Sequence, residues 1–225
     1  AIRFNETSGA MVFDEMRSGG AADMIIPSAQ KMKPVVENEI TLHAGLVAGY
    51  GNTGTSSIGD ELRFTIRKRI TQRWREEIEK RGEKPERFLT IEQVAQLAYR
   101  VICEMKHKHT NELLFGKYGF DTDDFIQGHY LRNETKIEIK EKEIVNAAEV
   151  AITFKDQGAS ARPVFGNAGI VAGYEPQEGF RIFHLSMSEQ MCVPVQEIFA
   201  ANGSGRDQCE IVFGDFAACR SIPER

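Results

Sequence analysis

The segment FDEMRSG, Phe13 to Gly19, places Glu15 and Arg17 two residues apart, and Lys31 follows in SAQKMK. Such charges can be surface decoration. They can also form the floor of an active site, where a carboxylate keeps a lysine charged and the lysine lowers the pKa of a neighbouring hydroxyl. None of these three groups attacks a carbonyl in that arrangement. A floor of this kind needs a nucleophile standing in front of it, and the chain must bring one from elsewhere.

Other residues that could join such chemistry are Ala44-Gly45-Leu46, where a glycine N–H can approach a substrate closely, and Ser204 within AANGSG. The four cysteines, Cys103, Cys192, Cys209 and Cys219, show neither a CxxC pair nor a Cys/His ligand spacing. Only His107 and His109 lie close together among five histidines, at what reads as a helix end, so no metal site is expected. The segment GYGNTGTSSIG before a long helix could bind an anion at the helix N-terminus. It lacks the GK[ST] ending of a P-loop, which leaves a nucleotide-binding reading weakly supported.

The elements that must position these residues read as follows. AIRFN and AMVFDE flank ETSG and predict a tight hairpin. MIIPSAQKMKPVV and ITLHAGLVAG are apolar and β-branched, with VENE between them as a turn, so the first fifty residues read as β. In SSIGDELRFTIRKRITQRWREEIEK, Ile58, Leu62, Ile66, Ile70, Trp74 and Ile78 recur every fourth position, the stripe of an amphipathic helix. A second helix opens on the capping-box pair Thr90 and Gln93 and buries Ile91, Val94, Ala98, Val101, Ile102 and Met105. KYGFDTDDF reads as an acidic turn, and KIEIKEKEIVNAAEVAITF as two strands that could pair. NAGIVAGYEPQEGFRIFHLS reads as a hairpin around EPQEG, and VQEIFAANGSGRDQCEIVF as strand, glycine turn and helix.

At 225 residues, 41% hydrophobic and 27% charged, the chain suits a globular protein with a layered core. A net charge of −5 argues against a dedicated nucleic-acid binder, and the basic run RKRITQRWREEIEKR is diluted by glutamates at helical pair spacing. No apolar run reaches membrane-spanning length and no signal-peptide core stands at the N-terminus, so a reduced, cytoplasmic setting is expected.

Together these residues resemble a proteasome-type β-subunit of the N-terminal-nucleophile (Ntn) hydrolases. The match rests on Glu15-Met16-Arg17, on Lys31 fourteen residues beyond Arg17, on Ala44-Gly45-Leu46 beginning thirteen beyond Lys31, and on the later hairpin and AANGSG turn. The resemblance implies an α+β fold, a four-layer α/β/β/α sandwich of two antiparallel sheets flanked by helices. Its matching segments cover roughly two-thirds of the chain and imply a single domain over residues 1–225 with an insertion at about 110–160. It implies a threonine peptidase acting on polypeptides in a homo-oligomeric ring stack, fed by an ATP-dependent unfoldase, with no cofactor, metal, nucleic acid or membrane.

By the same resemblance residue 1 is the nucleophile, whose α-amine serves as base, Lys31 and Glu15 support it, and Arg17 braces the carboxylate. The Gly45 N–H is the oxyanion donor, and Ser204 completes the hydrogen-bond network around the amine. The S1 pocket falls on Ser18, Ala29, Lys33, His43, Val47 and Gly51, and two basic-capable side chains there imply an acidic P1 residue.

The sequence departs from the family pattern in four ways. The first hairpin is two residues shorter, which preserves strand register. About fifty residues are inserted after the second helix. The family's later Asp and Ser have no counterpart before Arg225, so either the chain continues or the site is incomplete. Lastly, Ala1 stands where threonine is expected. Alanine cannot attack a carbonyl, and retention of the charged support favours a Thr→Ala replacement over decay. A naturally inactive structural or gating subunit, and an Ntn amidase or transpeptidase, are the alternatives.

Overall fold

The computed structural model describes residues 1–12, 17–19, 24–26, 32–53, 56–140, 142, 144–146, 148, 168–186, 191–201 and 206–220. The chain divides into two compact units, Ala1–Val101 with Asn167–Arg225, and Ile102–Gly166. Both contain helices and antiparallel strands, an α+β composition.

In the first unit, β1 (Ile2–Arg3) and β2 (Gly9–Ala10) form the expected hairpin, with Ile2 opposite Ala10. Strands β3 (Arg17–Gly19) and β4 (Met24–Ile26) make a second two-stranded ribbon. The main sheet is antiparallel, in the order β11 (Met191–Pro194), β10 (Gly179–Ser186), β9 (Ala168–Glu175), β6 (Val47–Thr53), β5 (Met32–Pro34). The β9–β10 hairpin turns where the sequence places it. Its turn is held by the buried Glu175 carboxylate, which accepts from the N–H groups of Gln177 at 2.8 Å and Glu178 at 3.2 Å.

One segment expected as strand is helical. Asn38–Ala44 forms α1, so ITLHA turns helically before the strand starts at Val47. Ile40 and Ala44, four residues apart, are its buried side chains. Gly45 ends it in the left-handed conformation, φ 67°, which glycine adopts without steric penalty. The β-branched content of the segment pointed to a strand, and the 3.6-residue burial period together with the glycine stop prevailed.

Helix α2 (Ser56–Arg81) buries Ile58, Leu62, Ile66, Ile70 and Trp74. Helix α3 (Ile91–Tyr118) begins in the first unit and ends in the second. The Thr90–Gln93 capping box is formed in both directions, at 3.0 and 3.2 Å. All six residues of its expected apolar face are buried. Helix α2 and the first turn of α3 pack on one face of the main sheet. There Arg63 of α2 bonds Asn52 of β6, and Glu92 of α3 pairs with Arg181 of β10 at 3.3 Å. The final helix is α5 (Arg206–Arg220).

The second unit contains the stretch expected as an insertion. His107 and His109 lie inside α3, which runs nine residues past His109 instead of stopping there. KYGFDTDDF is not a plain turn: Thr122–Gln127 forms α4, with Asp121 and Asp124 making a capping box. KIEI supplies β8 (Thr135–Glu138), which pairs with β7 (His129–Arg132). Residues 142, 144–146 and 148 are helical, and 149–154, the end of the segment expected as a second strand, lie outside the described residues. Leu114, Phe120 and Ala148 form the centre of this unit's apolar cluster, and Phe120 stacks on Tyr118 and Phe125.

Candidate active site

The sheet face opposite α2 holds the N-terminus. Ala1 packs against Ile170, Ala172, Phe180, Ile182 and Ala200, with Met11, Tyr174 and Val195 at the margin. Its α-ammonium donates to the Ala200 carbonyl at 2.8 Å, and the Ala200 N–H returns a bond to the Ala1 carbonyl at 2.8 Å. Ile2 bridges Phe199, and the Arg3 N–H donates to Ile198 at 2.6 Å. The first three residues therefore run antiparallel to 198–200, where AANGSG begins. VQEIFAA contributes this bridge and no full strand. Its chain extends from β11, and Phe199 touches Phe213 of α5 at 5.3 Å between ring centres.

The N-terminal hairpin is also pinned at its turn. The Phe180 N–H donates to Glu6 at 2.6 Å, and a Cβ at Gly179 would stand 2.1 Å from that same carbonyl oxygen. At Gly9 the Phe180 ring occupies the space where a side chain would project. Burial lowers the Ala1 amine pKa from its ordinary value of 8.0, because the charged form loses hydration, and the nearby Cys209 opposes this. A lowered amine pKa increases the fraction of free base at neutral pH, the form that can accept a proton.

Strand β6 borders the same face. Gly51 stands opposite Ile170 and Val47 opposite Tyr174, two residues of the group around Ala1. Val47 is half-exposed and Gly51 buried. The structure thus brings Ala1, Val47 and Gly51 to one sheet face. Lys33 is in register with Tyr50, Arg17 with Ile26, and Ser18 with Ile25. Glu15, Ala29, Lys31 and Ser204 lie outside the described residues.

Two site residues stand differently from the expectation. The Gly45 N–H donates to the Thr41 carbonyl at 3.0 Å as the cap of α1, so it is engaged and not presented to an oxyanion. The cause is helix α1 itself, since a helix C-terminus draws the following N–H back onto its last carbonyls. His43 sits in the last turn of α1, with its ring 6.1 Å from Trp74, edge-on. It lines a recess of about 640 Å³ with Arg81, Glu83, Lys84, Pro85, Glu86 and Arg87, none of them an expected substrate contact. Among the described residues no group of three or more His, Cys, Asp or Glu is placed to hold a metal ion. No described helix is long and apolar enough to cross a membrane.

Sequence reading did not find the polar group behind β6. Tyr50 and Arg63 are buried, with Asn52 between them and the first turns of α2. The available signal was an arginine flanking an apolar stripe, which ordinarily marks a solvated helix edge. No protein-family model matches the chain, and no curated protein shows significant similarity to it.

Proposed function

We propose that this chain is the hydrolytic subunit of a proteasome-type, self-compartmentalising peptidase, with residue 1 at the nucleophile position and alanine there silencing it. One observation carries the reading. The Ala1 nitrogen donates to the carbonyl of Ala200, the first residue of AANGSG, where burial lowers the pKa of an amine at this position. An N-terminal threonine in that place would have its hydroxyl and its base on one residue.

In the proposed reaction the Oγ of a threonine at position 1 attacks a peptide carbonyl while the α-amine takes the hydroxyl proton. The amine then gives that proton to the leaving nitrogen, and an ester to Oγ remains. Water, activated by the same amine, hydrolyses the ester and restores the hydroxyl. Lys31, steadied by Glu15 and Arg17, supplies the positive charge that acidifies the hydroxyl, and Ser204 bonds the amine. The oxyanion donor is a backbone N–H other than that of Gly45. Val47 and Gly51 line the substrate face.

We place this site in a four-layer Ntn sandwich. In support, α2 and α3 cover one face of the main sheet and the N-terminal hairpin the other. We further propose that the subunit assembles into a cytoplasmic homo-oligomeric ring stack that receives unfolded polypeptides from an ATP-dependent partner.

The test is Ala1→Thr with a free N-terminus. Peptide hydrolysis should rise by on the order of 10⁶ over the alanine form. An epoxyketone, which reacts with both hydroxyl and amine, should label residue 1, and Lys31→Ala should abolish both. An assembled Ala1→Thr protein that neither cleaves peptides nor takes the label refutes the peptidase, leaving the inactive structural subunit.

A further inference from the structure

Helix α2 carries an inversion of the usual burial order. Arg63 is 5% exposed, while the next residue, Phe64, is 69% exposed. Arg63 Nη1 donates to Asn52 Oδ1 at 3.1 Å, and Nη2 pairs with Asp60. The Asn52 amide is wedged against the helix: a Cβ at Gly59 would lie 2.3 Å from Asn52 Nδ2. The Tyr50 hydroxyl, fully buried two residues away on β6, has no hydrogen-bond partner among the described residues. Buried charge of this kind adds little stability compared with an apolar side chain of equal volume, and its better-attested role is to specify one geometry.

The geometry it specifies is that of β6. Asn52 lies next to Gly51, and Gly51 is in register with Ile170, a member of the apolar cluster against which Ala1 packs. We infer that Arg63 is a positioning residue for the active site, acting through Asn52 to hold the β6 strand end in the place a reacting peptide requires. This rests on the peptidase reading above. The arginine touches no substrate; it acts from the far side of the sheet. Its planar fork engages Asn52 and Asp60 together, which a lysine's single ammonium group cannot reproduce in the same plane.

The experiment uses the Ala1→Thr protein as parent and measures kcat and KM for a peptide, with hydrogen exchange of the 47–53 amides alongside. Arg63→Met should lower kcat by on the order of 10²-fold, the scale of an ångström-level misplacement, with KM changed by less than about twofold. Arg63→Lys should recover part of the loss. Amides of 47–53 should exchange faster in Arg63→Met, in the Ala1 form as well. Asn52→Ala removes the same link while keeping the Arg63–Asp60 pair, and serves where Arg63→Met does not fold. Phe64→Ser, on the exposed neighbour, should leave kcat unchanged. An active parent whose Asn52→Ala and Arg63→Met variants keep kcat overturns the positioning role alone. Equal losses in Phe64→Ser, tracking thermal stability, also overturn it. A silent parent overturns the peptidase reading and the role with it; faster exchange at 47–53 would then mark a purely structural tie.

Discussion

The site depends on the β6–β9 register, which makes Gly173→Ala an informative perturbation. Gly173 pairs with Ala48, and a Cβ there would stand 2.1 Å from the Val47 carbonyl oxygen, 2.8 Å from Ala48 Cα and 2.8 Å from Ile91 Cδ1. The first distance falls 0.9 Å short of the 3.0 Å below which real Cβ atoms essentially never approach. The Ile91 methyl can rotate away; the Val47 oxygen belongs to the backbone and can move only with β6. Overpacking of this sort costs about 1–3 kcal/mol, and a weakened ladder bond adds about 1 kcal/mol, so the upper part of that range is expected. At roughly 2–4 °C per kcal/mol for a chain of this size, the midpoint should fall by roughly 6–12 °C. The sole tryptophan, Trp74, is buried in the first unit, so its fluorescence on heating reports the unit that contains the mutation. Gly214→Ala in α5 is the control. No described atom lies within 4 Å of a Cβ there, and helix propensity should raise stability by up to about 1 kcal/mol. Equal midpoints for Gly173→Ala and the parent would show that β6 and β9 are not packed as closely as described.

The Ala1 amine, followed by NMR, should titrate below 8.0 in the folded protein and near 8.0 in urea. Because the folded state gives up this proton more readily, the stability linked to it is complete above pH 8 and is lost as pH falls through the folded pKa. Cys192, whose thiol burial and Glu92 push up to about 11, should be alkylated by iodoacetamide at pH 7.5 far more slowly than exposed Cys209, as peptide mapping will show. Asp121→Ala removes the acceptor for the Asp123 and Asp124 N–H groups at the start of α4 and should cost about 1 kcal/mol locally, read as faster exchange of α4 amides with those of α2 unchanged.

Much of the architecture was legible because burial imposes a period. The stripe Ile58, Leu62, Ile66, Ile70, Trp74 lies on a single helical face, and the Thr90–Gln93 pair announces a helix start by chemistry local enough to survive any tertiary setting. The β9–β10 hairpin was legible for a similar reason, since its turn is stabilised by Glu175 within the turn itself. Short segments were less so. ITLHA carries residues that favour strands, yet its fate was decided by Gly45 and by two buried positions four apart, too few for periodicity to stand out. The same holds for DTDDF, where acidic residues that suggest a turn are the capping box of a six-residue helix.

The candidate site was legible in part, and the division has a physical cause. Sequence spacing says how far apart residues lie along the chain, and it converts to spatial proximity only when the element between them is known. Between Lys31 and Gly45 the expectation was strand, VENE turn and strand; ITLHA instead lies in helix α1, which draws the Gly45 N–H onto Thr41. Val47 and Gly51 sit on β6, whose register with β9 carries them to the face that holds Ala1. Arg63 had no spacing signal at all. Its partner Asn52 is eleven residues away across a strand–helix junction, and an arginine beside an apolar stripe looks the same whether its guanidinium ends in water or against an asparagine. The residues most dependent on tertiary context are therefore those that hold β6 from behind, and on the peptidase reading the charged floor around Lys31 can act only while that strand stays in place.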